Sequence, residues 1–76
     1  LPDSVTAALA DSTHENIAWL RKAVKQQRPD WSRTRIEDTA SLIFSALEGA
    51  IVFASMTNNP DHLRRVGKSL GDLVAA

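Results

Sequence analysis

Hydrophobic residues recur along the chain at the three- and four-residue spacing of amphipathic helices. Pro29 and Pro60 interrupt this pattern, and proline is poorly tolerated inside a helix, so each marks the boundary of an element. No stretch rich in Val, Ile and Thr alternates with polar residues as a strand would. The pattern therefore predicts a single all-α domain of three helices, at about residues 3–27, 35–56 and 60–75.

The first predicted helix has one apolar stripe with a polar interruption in its middle. The stripe comprises Val5, Leu9, Ile17, Leu20, Ala23 and Val24, and the interruption comprises Ser12, Thr13 and Asn16. Trp19 lies beside the stripe. A pocket wall combines apolar surface with a few polar groups and an aromatic ring. A solvent-exposed or kinked stretch has the same composition, so both interpretations stay open at this point.

The second predicted helix should begin at a capping box formed by Thr34 and Glu37. Asp38 then adds negative charge to the first turn, where the helix dipole favours it. The apolar residues cover an arc of about 200°, which one neighbouring helix cannot cover, and a narrow polar strip that includes Ser45 fills the rest. The arc divides into a larger ridge and a flatter one: Ile36, Ala40, Ile43, Leu47, Ile51 and Ala54, and then Leu42, Ala46, Gly49 and Phe53.

The third predicted helix begins with Pro60 at its first position, after Asn59 as the cap. A seam with the spacing of a coiled coil follows, formed by Leu63, Val66, Leu70 and Leu73. Gly67 and Gly71 lie beside this seam and weaken the isolated helix, so tertiary contact must hold it. The short link at 57–59 predicts that helices two and three are antiparallel neighbours.

Length and composition indicate a stabilising partner. A 76-residue chain buries only about 60% of the surface that its unfolded form exposes. The chain has no cysteine, and two histidines cannot fill a zinc site, so we expect neither disulfides nor a metal or other cofactor. The wide apolar arc of helix two and the seam of helix three therefore predict a homodimer.

Charge excludes some partners. Nine basic and nine acidic residues give no net charge, which argues against sequence-specific DNA binding by this chain. Six bases lie between 21 and 35 against Asp30 alone; they could bind an acidic partner or nucleic acid. We favour a helix C-terminus followed by a solvated loop, because the only interleaved aromatic is Trp31, which is expected to close the end of the bundle.

Other sequence features bear on compartment and catalysis. No apolar run reaches the length of a membrane span, so no membrane partner is expected, and the absence of cysteine fits a reducing, cytoplasmic compartment. His14 with Glu15, and His62 with Arg65, are better explained as surface residues than as acid–base pairs. No nucleophile triad, phosphate loop or HExxH motif is present. We therefore expect a protein that is not an enzyme.

Three stretches together resemble the C-terminal effector-binding and dimerisation part of TetR/AcrR-family transcriptional regulators. They are ASLIFSALEGAIVFA at 40–54, Asn59-Pro60-Asp61, and LRRVGKSL at 63–70, and the opening residues around Trp19-Leu20 resemble the long helix before them. The resemblance implies a four-helix dimer interface made by helices two and three of each subunit. Its expected residues are Leu42, Ala46, Gly49, Ala50, Phe53, Leu63, Val66, Leu70 and Leu73.

The resemblance also implies that helix one forms a wall of a ligand pocket. Asn16 and Trp19 should then face a cavity beside Ile43 and Leu47, and the effector would be a small, mainly apolar molecule. DNA would be bound only by an N-terminal helix-turn-helix domain that these residues do not supply, which makes the chain the C-terminal fragment of a longer regulator, expected to be a repressor. The alternative is an independent small helical protein that self-associates through the same faces.

Overall fold

The computed structural model describes residues 3–75, except for the side chains of residues 5–14. The described residues form three helices: α1 (Asp3–Gln27), α2 (Arg33–Thr57) and α3 (Pro60–Ala75). No strand occurs among them, which confirms the predicted all-α fold. The predicted bounds of α1 and α3 agree with the structure, whereas α2 starts two residues earlier and ends one residue later than expected.

The start of α2 differs because Ser32 caps the helix. Its backbone is extended, with φ −62° and ψ 157°, and its Oγ accepts a hydrogen bond from the N–H of Arg35 at 3.1 Å. This bond satisfies one of the backbone donors left free at a helix start. The predicted capping box of Thr34 and Glu37 is therefore wrong, since Thr34 already lies within the helix.

Glu37 instead links α1 to α2. Its Oε1 lies 3.3 Å from Nε of Arg33 and 3.8 Å from Nη1 of Arg21. Partly exposed ion pairs of this kind contribute about 0–1 kcal/mol each. The first turn of α2 contains no acidic residue, so the predicted position of Asp38 in that turn is also wrong.

A two-residue turn, Asn58 and Asn59, joins α2 to α3. Asn58 adopts the left-handed conformation, with φ 51°, which asparagine tolerates better than most residues. The N–H groups of Asn58 and Asn59 both donate to the carbonyl of Ala54, which ends α2. The turn reverses the chain and places the rings of Phe53 and His62 with their centroids 4.3 Å apart, so α2 and α3 run antiparallel.

The core is small and lies where the three helices meet. Its buried residues are Val24 of α1, Ile36, Ala40, Ile43 and Ala50 of α2, and Val74 of α3. Leu20, Trp31, Leu47 and Leu70 pack around it, half-buried. No large side chain among the described residues is completely buried. The core therefore takes up only part of the apolar surface that the sequence supplies.

Arg28 fastens the end of α3 to the connection between α1 and α2. Its Nε donates to the carbonyl of Val74 at 2.6 Å, and its Nη2 donates to the carbonyl of Ala75 at 2.7 Å. Carbonyl groups at a helix C-terminus lack helical partners and favour a cation. The Arg28 guanidinium carbon lies 5.5 Å from the centroid of the Trp31 ring, and that of Arg35 lies 3.9 Å from it. Trp31 thus lies at the end of the bundle.

Candidate interaction face and ligand groove

One side of α2 and α3 carries apolar side chains that the core does not use. On α2, Leu42 is 53% exposed and Phe53 is 48% exposed, and Gly49 lies between them. These three positions fall within about 40° of one another at about 100° per residue. They point away from the buried residue Ile43, one position further along the helix, which packs against Val24 of α1.

The matching surface on α3 is set by the contact between Phe53 and His62. His62, Val66 and Leu73 are spaced so that they lie on one side of α3. Leu42 is eleven residues before Phe53, and Leu73 is eleven residues after His62, so in antiparallel helices the two leucines lie at the same level. The six residues Leu42, Gly49, Phe53, His62, Val66 and Leu73 form one continuous surface, which we call the α2–α3 face.

The residues predicted for the dimer interface divide into two groups. Those on or beside the α2–α3 face are Leu42, Ala46, Gly49, Phe53, Val66 and Leu73. Ala50 turns inward and is 3% exposed within the chain itself, because it is rotated by about 100° from Gly49; its place at a dimer interface stays a prediction. Leu63 and Leu70 are half-buried. Leu70 packs against the core, so part of its side chain is covered within the single chain.

Three features of α2 were not foreseen, of which the first two lie on this side of the helix. Ser45, assigned to the polar strip, lies one turn from both Leu42 and Gly49 and therefore belongs beside the α2–α3 face. Val52 and Met56 are also exposed, which widens the apolar surface of α2 towards its C-terminal end. Ile51, assigned to the larger ridge, is 49% exposed, so that ridge is buried only over its first part.

A separate apolar groove of about 500 Å³ runs between α1 and α3, over α2. Its walls are Trp19, Leu20, Ala23, Val24 and Gln27 of α1, Ile43 and Leu47 of α2, and Gly67, Leu70, Gly71 and Val74 of α3. Only Gln27 and the indole of Trp19 offer side-chain polar atoms to it. The groove is therefore suited to a small, mainly apolar molecule, with a volume typical of ligand sites.

Gly67 and Gly71 explain why the groove is open. They are one helical turn apart on the same side of α3, and a Cβ atom built on either would meet no other atom within 4 Å. A larger side chain at these positions would occupy the space between α1 and α3. The sequence placed both glycines beside the seam, and their four-residue spacing is the signal by which the groove wall could have been found.

Three of the four predicted ligand residues lie together in this groove. Ile43 is buried at its floor, Leu47 is half-buried beside it, and Trp19 stands at its edge with 68% of its surface exposed. Asn16 is exposed and does not line the groove, because it lies almost one turn before Trp19. The Ser12 and Thr13 interruption, and His14, lie outside the described side chains. The role of these residues in ligand binding stays a prediction.

α2 is also long and apolar enough to cross a membrane by length and composition, with a best 18-residue window of mean hydropathy 1.6, of which 22% is buried. The expectation that no segment has this length and composition is therefore corrected. Core helices of folded domains meet the same criterion, so this property alone assigns no membrane role. Glu48 near the middle of α2 would be costly in the bilayer.

Comparisons of this chain with models of protein families, with curated proteins and with solved structures find no match.

Proposed function

We propose that this chain is the homodimerisation and ligand-sensing module of a TetR-like DNA-binding transcriptional regulator, of the repressor type. The α2–α3 face would pair two subunits, and the groove beside Trp19 would receive a small apolar effector. DNA would be bound by a helix-turn-helix domain elsewhere in the regulator. The observation that carries the proposal is the exposed apolar side of the antiparallel α2–α3 pair.

The chemistry of the α2–α3 face supports pairing with a second copy. Exposed apolar residues that form one continuous surface mark interaction sites. None of the six residues of the face is an aspartate, glutamate, lysine or arginine, and no salt bridge among the described residues crosses the face. A two-fold axis would place the face against itself, which suits a surface whose residues are apolar except for His62.

The shape of the α2–α3 face supports close helix packing. Gly49 lies near its centre, with Ala46 one turn before it, and small residues allow helix backbones to approach. A Cβ atom at Gly49 would meet no atom of its own chain within 4 Å. The free space at Gly49 is therefore available to a partner helix, and four helices would then form the bundle that the resemblance implies.

We predict that the chain is a dimer in solution. Light scattering coupled to size exclusion, at micromolar concentration, should give about twice the chain mass of 8.3 kDa. A folded monomer over the whole concentration range would contradict the proposal. So would partition into neutral lipid vesicles in place of self-association, because lipid would then cover α2.

Gly49→Leu tests which surface forms the dimer. A leucine fits the free monomer, where it should also raise helix stability by up to about 1 kcal/mol. At a packed interface the same side chain destabilises the complex by about 1–3 kcal/mol per site, and a two-fold symmetric dimer contains two such sites. We expect the dissociation constant of the dimer to rise at least about ten-fold, while circular dichroism shows unchanged or higher helicity.

The matched control is Ser55→Leu. Ser55 is exposed on α2 but lies two residues from Phe53, and therefore on nearly the opposite side of the helix. This variant should dimerise like the parent chain. Equal weakening by both variants would place the interface elsewhere. A helix-turn-helix encoded upstream of this chain in its gene would distinguish the regulator from an independent self-associating protein.

A further inference from the structure

A second cleft, unrelated to the dimer face and the apolar groove, lies between the end of α1 and the start of α2. It has a volume of about 640 Å³. Arg21, Lys22 and Lys25 of α1 and Arg33 of α2 supply four positive charges to its walls, and Glu37 supplies one negative charge. The whole chain has no net charge, so this excess is local to the cleft.

The four bases of the cleft are not equally engaged. Arg21 and Arg33 share the Oε1 atom of Glu37, at 3.8 and 3.3 Å. Lys22 and Lys25, one turn apart on α1, have no carboxylate within 4 Å among the residues that the structure describes. The cleft therefore holds two ammonium groups that are available to a ligand, and two guanidinium groups that share a single carboxylate oxygen.

The remaining bases of this segment have other structural roles. Arg28 holds the end of α3, and Arg35 stacks over Trp31. Of the six bases between 21 and 35, four therefore line the cleft and two make contacts that stabilise the fold. The sequence favours a solvated helix end and loop for this segment. It does not predict the cleft, because the cleft forms only when α1 and α2 pack together.

The cleft also has an apolar wall. Trp31 is half-buried against the core and Ile36 is buried, and both line the cleft with Pro29. Pockets that hold small molecules combine apolar surface with a few polar groups that fix orientation. Here the polar groups are cations, which bind carboxylate and phosphate oxygens through charge-assisted hydrogen bonds.

We propose that this basic cleft binds a small organic anion, whose carboxylate or phosphate group lies between Lys22, Lys25 and Arg33 and whose apolar body packs against Trp31 and Ile36. The proposal does not depend on dimerisation or on the groove at Trp19. Glu37 acts as an internal competitor, because it occupies the two arginines that an external anion would also engage.

The two tryptophans make a direct test available. Each indole N–H gives one cross-peak in a proton–nitrogen correlation spectrum, with Trp31 in the basic cleft and Trp19 in the apolar groove. The probes are 1-naphthoate, 1-naphthyl phosphate and the neutral 1-naphthamide. We expect at least one anion to shift the Trp31 peak saturably, and the neutral probe to leave it unchanged. The anion that binds more tightly identifies the preferred head group.

Two sets of variants should change affinity in opposite directions. The double variant Lys22→Gln/Lys25→Gln removes exposed, unpaired charges and should weaken anion binding about ten-fold or more. Glu37→Gln frees both arginines and should tighten binding several-fold. The control Arg65→Gln/Lys68→Gln removes the same number of positive charges from α3, outside the cleft, and should have no effect. Preserved peak dispersion verifies the fold of each variant.

Three results would overturn the proposal. The first is a Trp31 shift of equal size with the neutral probe. The second is unchanged or weaker anion binding by Glu37→Gln. The third is no saturable shift with either anion; if short duplex DNA then shifts Trp31, the cleft recognises a nucleic-acid backbone.

Discussion

At the scale of single residues, Arg28 determines how the two ends of the fold meet. It follows α1 directly, yet its side chain binds carbonyls 46 and 47 residues further along the chain. Only arginine offers a planar fork of donors that can reach two adjacent carbonyls at once. α3 has two glycines and little intrinsic stability, so a contact that orders its last turn also fixes the wall of the groove.

Arg28→Ala should destabilise the chain by about 1–3 kcal/mol, since two charge-assisted hydrogen bonds are lost together. Arg28→Lys should be intermediate, because one ammonium cannot reproduce the fork. The free energy of unfolding from urea titration is the measurement. Arg64→Ala is the matched control: its exposed pair with Asp61 should contribute about 0–1 kcal/mol. Equal losses of stability in Arg28→Ala and Arg64→Ala would show that the contact of Arg28 with α3 contributes no more than an exposed ion pair.

At the scale of elements, the start of α2 shows how a local pattern can support two answers. Thr34 with Glu37 fits a capping box, and Ser32 is an equally good capping residue. Stacking of Arg35 over Trp31 adds a contact that forms when the helix begins at Arg33. Tertiary packing of Trp31 therefore favours Ser32 over Thr34 as the capping residue.

Ser32→Ala should cost about 1 kcal/mol, the usual loss for removal of a capping oxygen. Thr34→Ala should be nearly neutral or slightly stabilising, because Thr34 is exposed inside the helix and alanine has the higher helix propensity. Chemical denaturation gives the free energy of unfolding of each variant, and so compares Ser32 with Thr34 directly. A larger loss of stability for Thr34→Ala than for Ser32→Ala would instead support the capping box of Thr34 and Glu37.

At the scale of the whole molecule, three helices are too few to cover α2 on every side. The larger ridge of α2 is buried by α1 and α3 over its first part, and the flatter ridge is left on the α2–α3 face. The groove between α1 and α3 exists for a related reason: glycines stand where α3 would otherwise fill the gap. A dimer partner and a ligand would thus occupy different surfaces of one small core.

Gly71→Leu should close the groove without harm to the fold, because the added side chain enters open space and removes a helix-weakening glycine. A neutral apolar probe such as 1-naphthamide should shift the Trp19 indole peak in the parent chain, and Gly71→Leu should reduce its affinity about ten-fold or more by steric exclusion. The control is Arg65→Leu, on an exposed part of α3 outside the groove. A Trp19 shift that persists in Gly71→Leu would contradict a ligand role for the groove.

The amino-acid sequence alone was enough to predict the number, type and approximate bounds of the helices, because apolar periodicity and the prolines at 29 and 60 are local signals. It also separated the two ridges of α2, since position around a helix follows from residue number alone. The grouping of Trp19 with Ile43 and Leu47 was expected from the resemblance to TetR-like regulators, which implies that helix one forms a pocket wall.

Packing of the three helices determined the features that depend on more than one element. It selected Ser32 as the cap, turned Ala50 inward, left Asn16 out of the groove and brought the bases of α1 beside Arg33. Sequence spacing fixes where a side chain lies around its own helix, but the rotation and approach of neighbouring helices decide which sides are covered. The apolar groove and the basic cleft are spaces between helices, so they are defined only after the helices have packed.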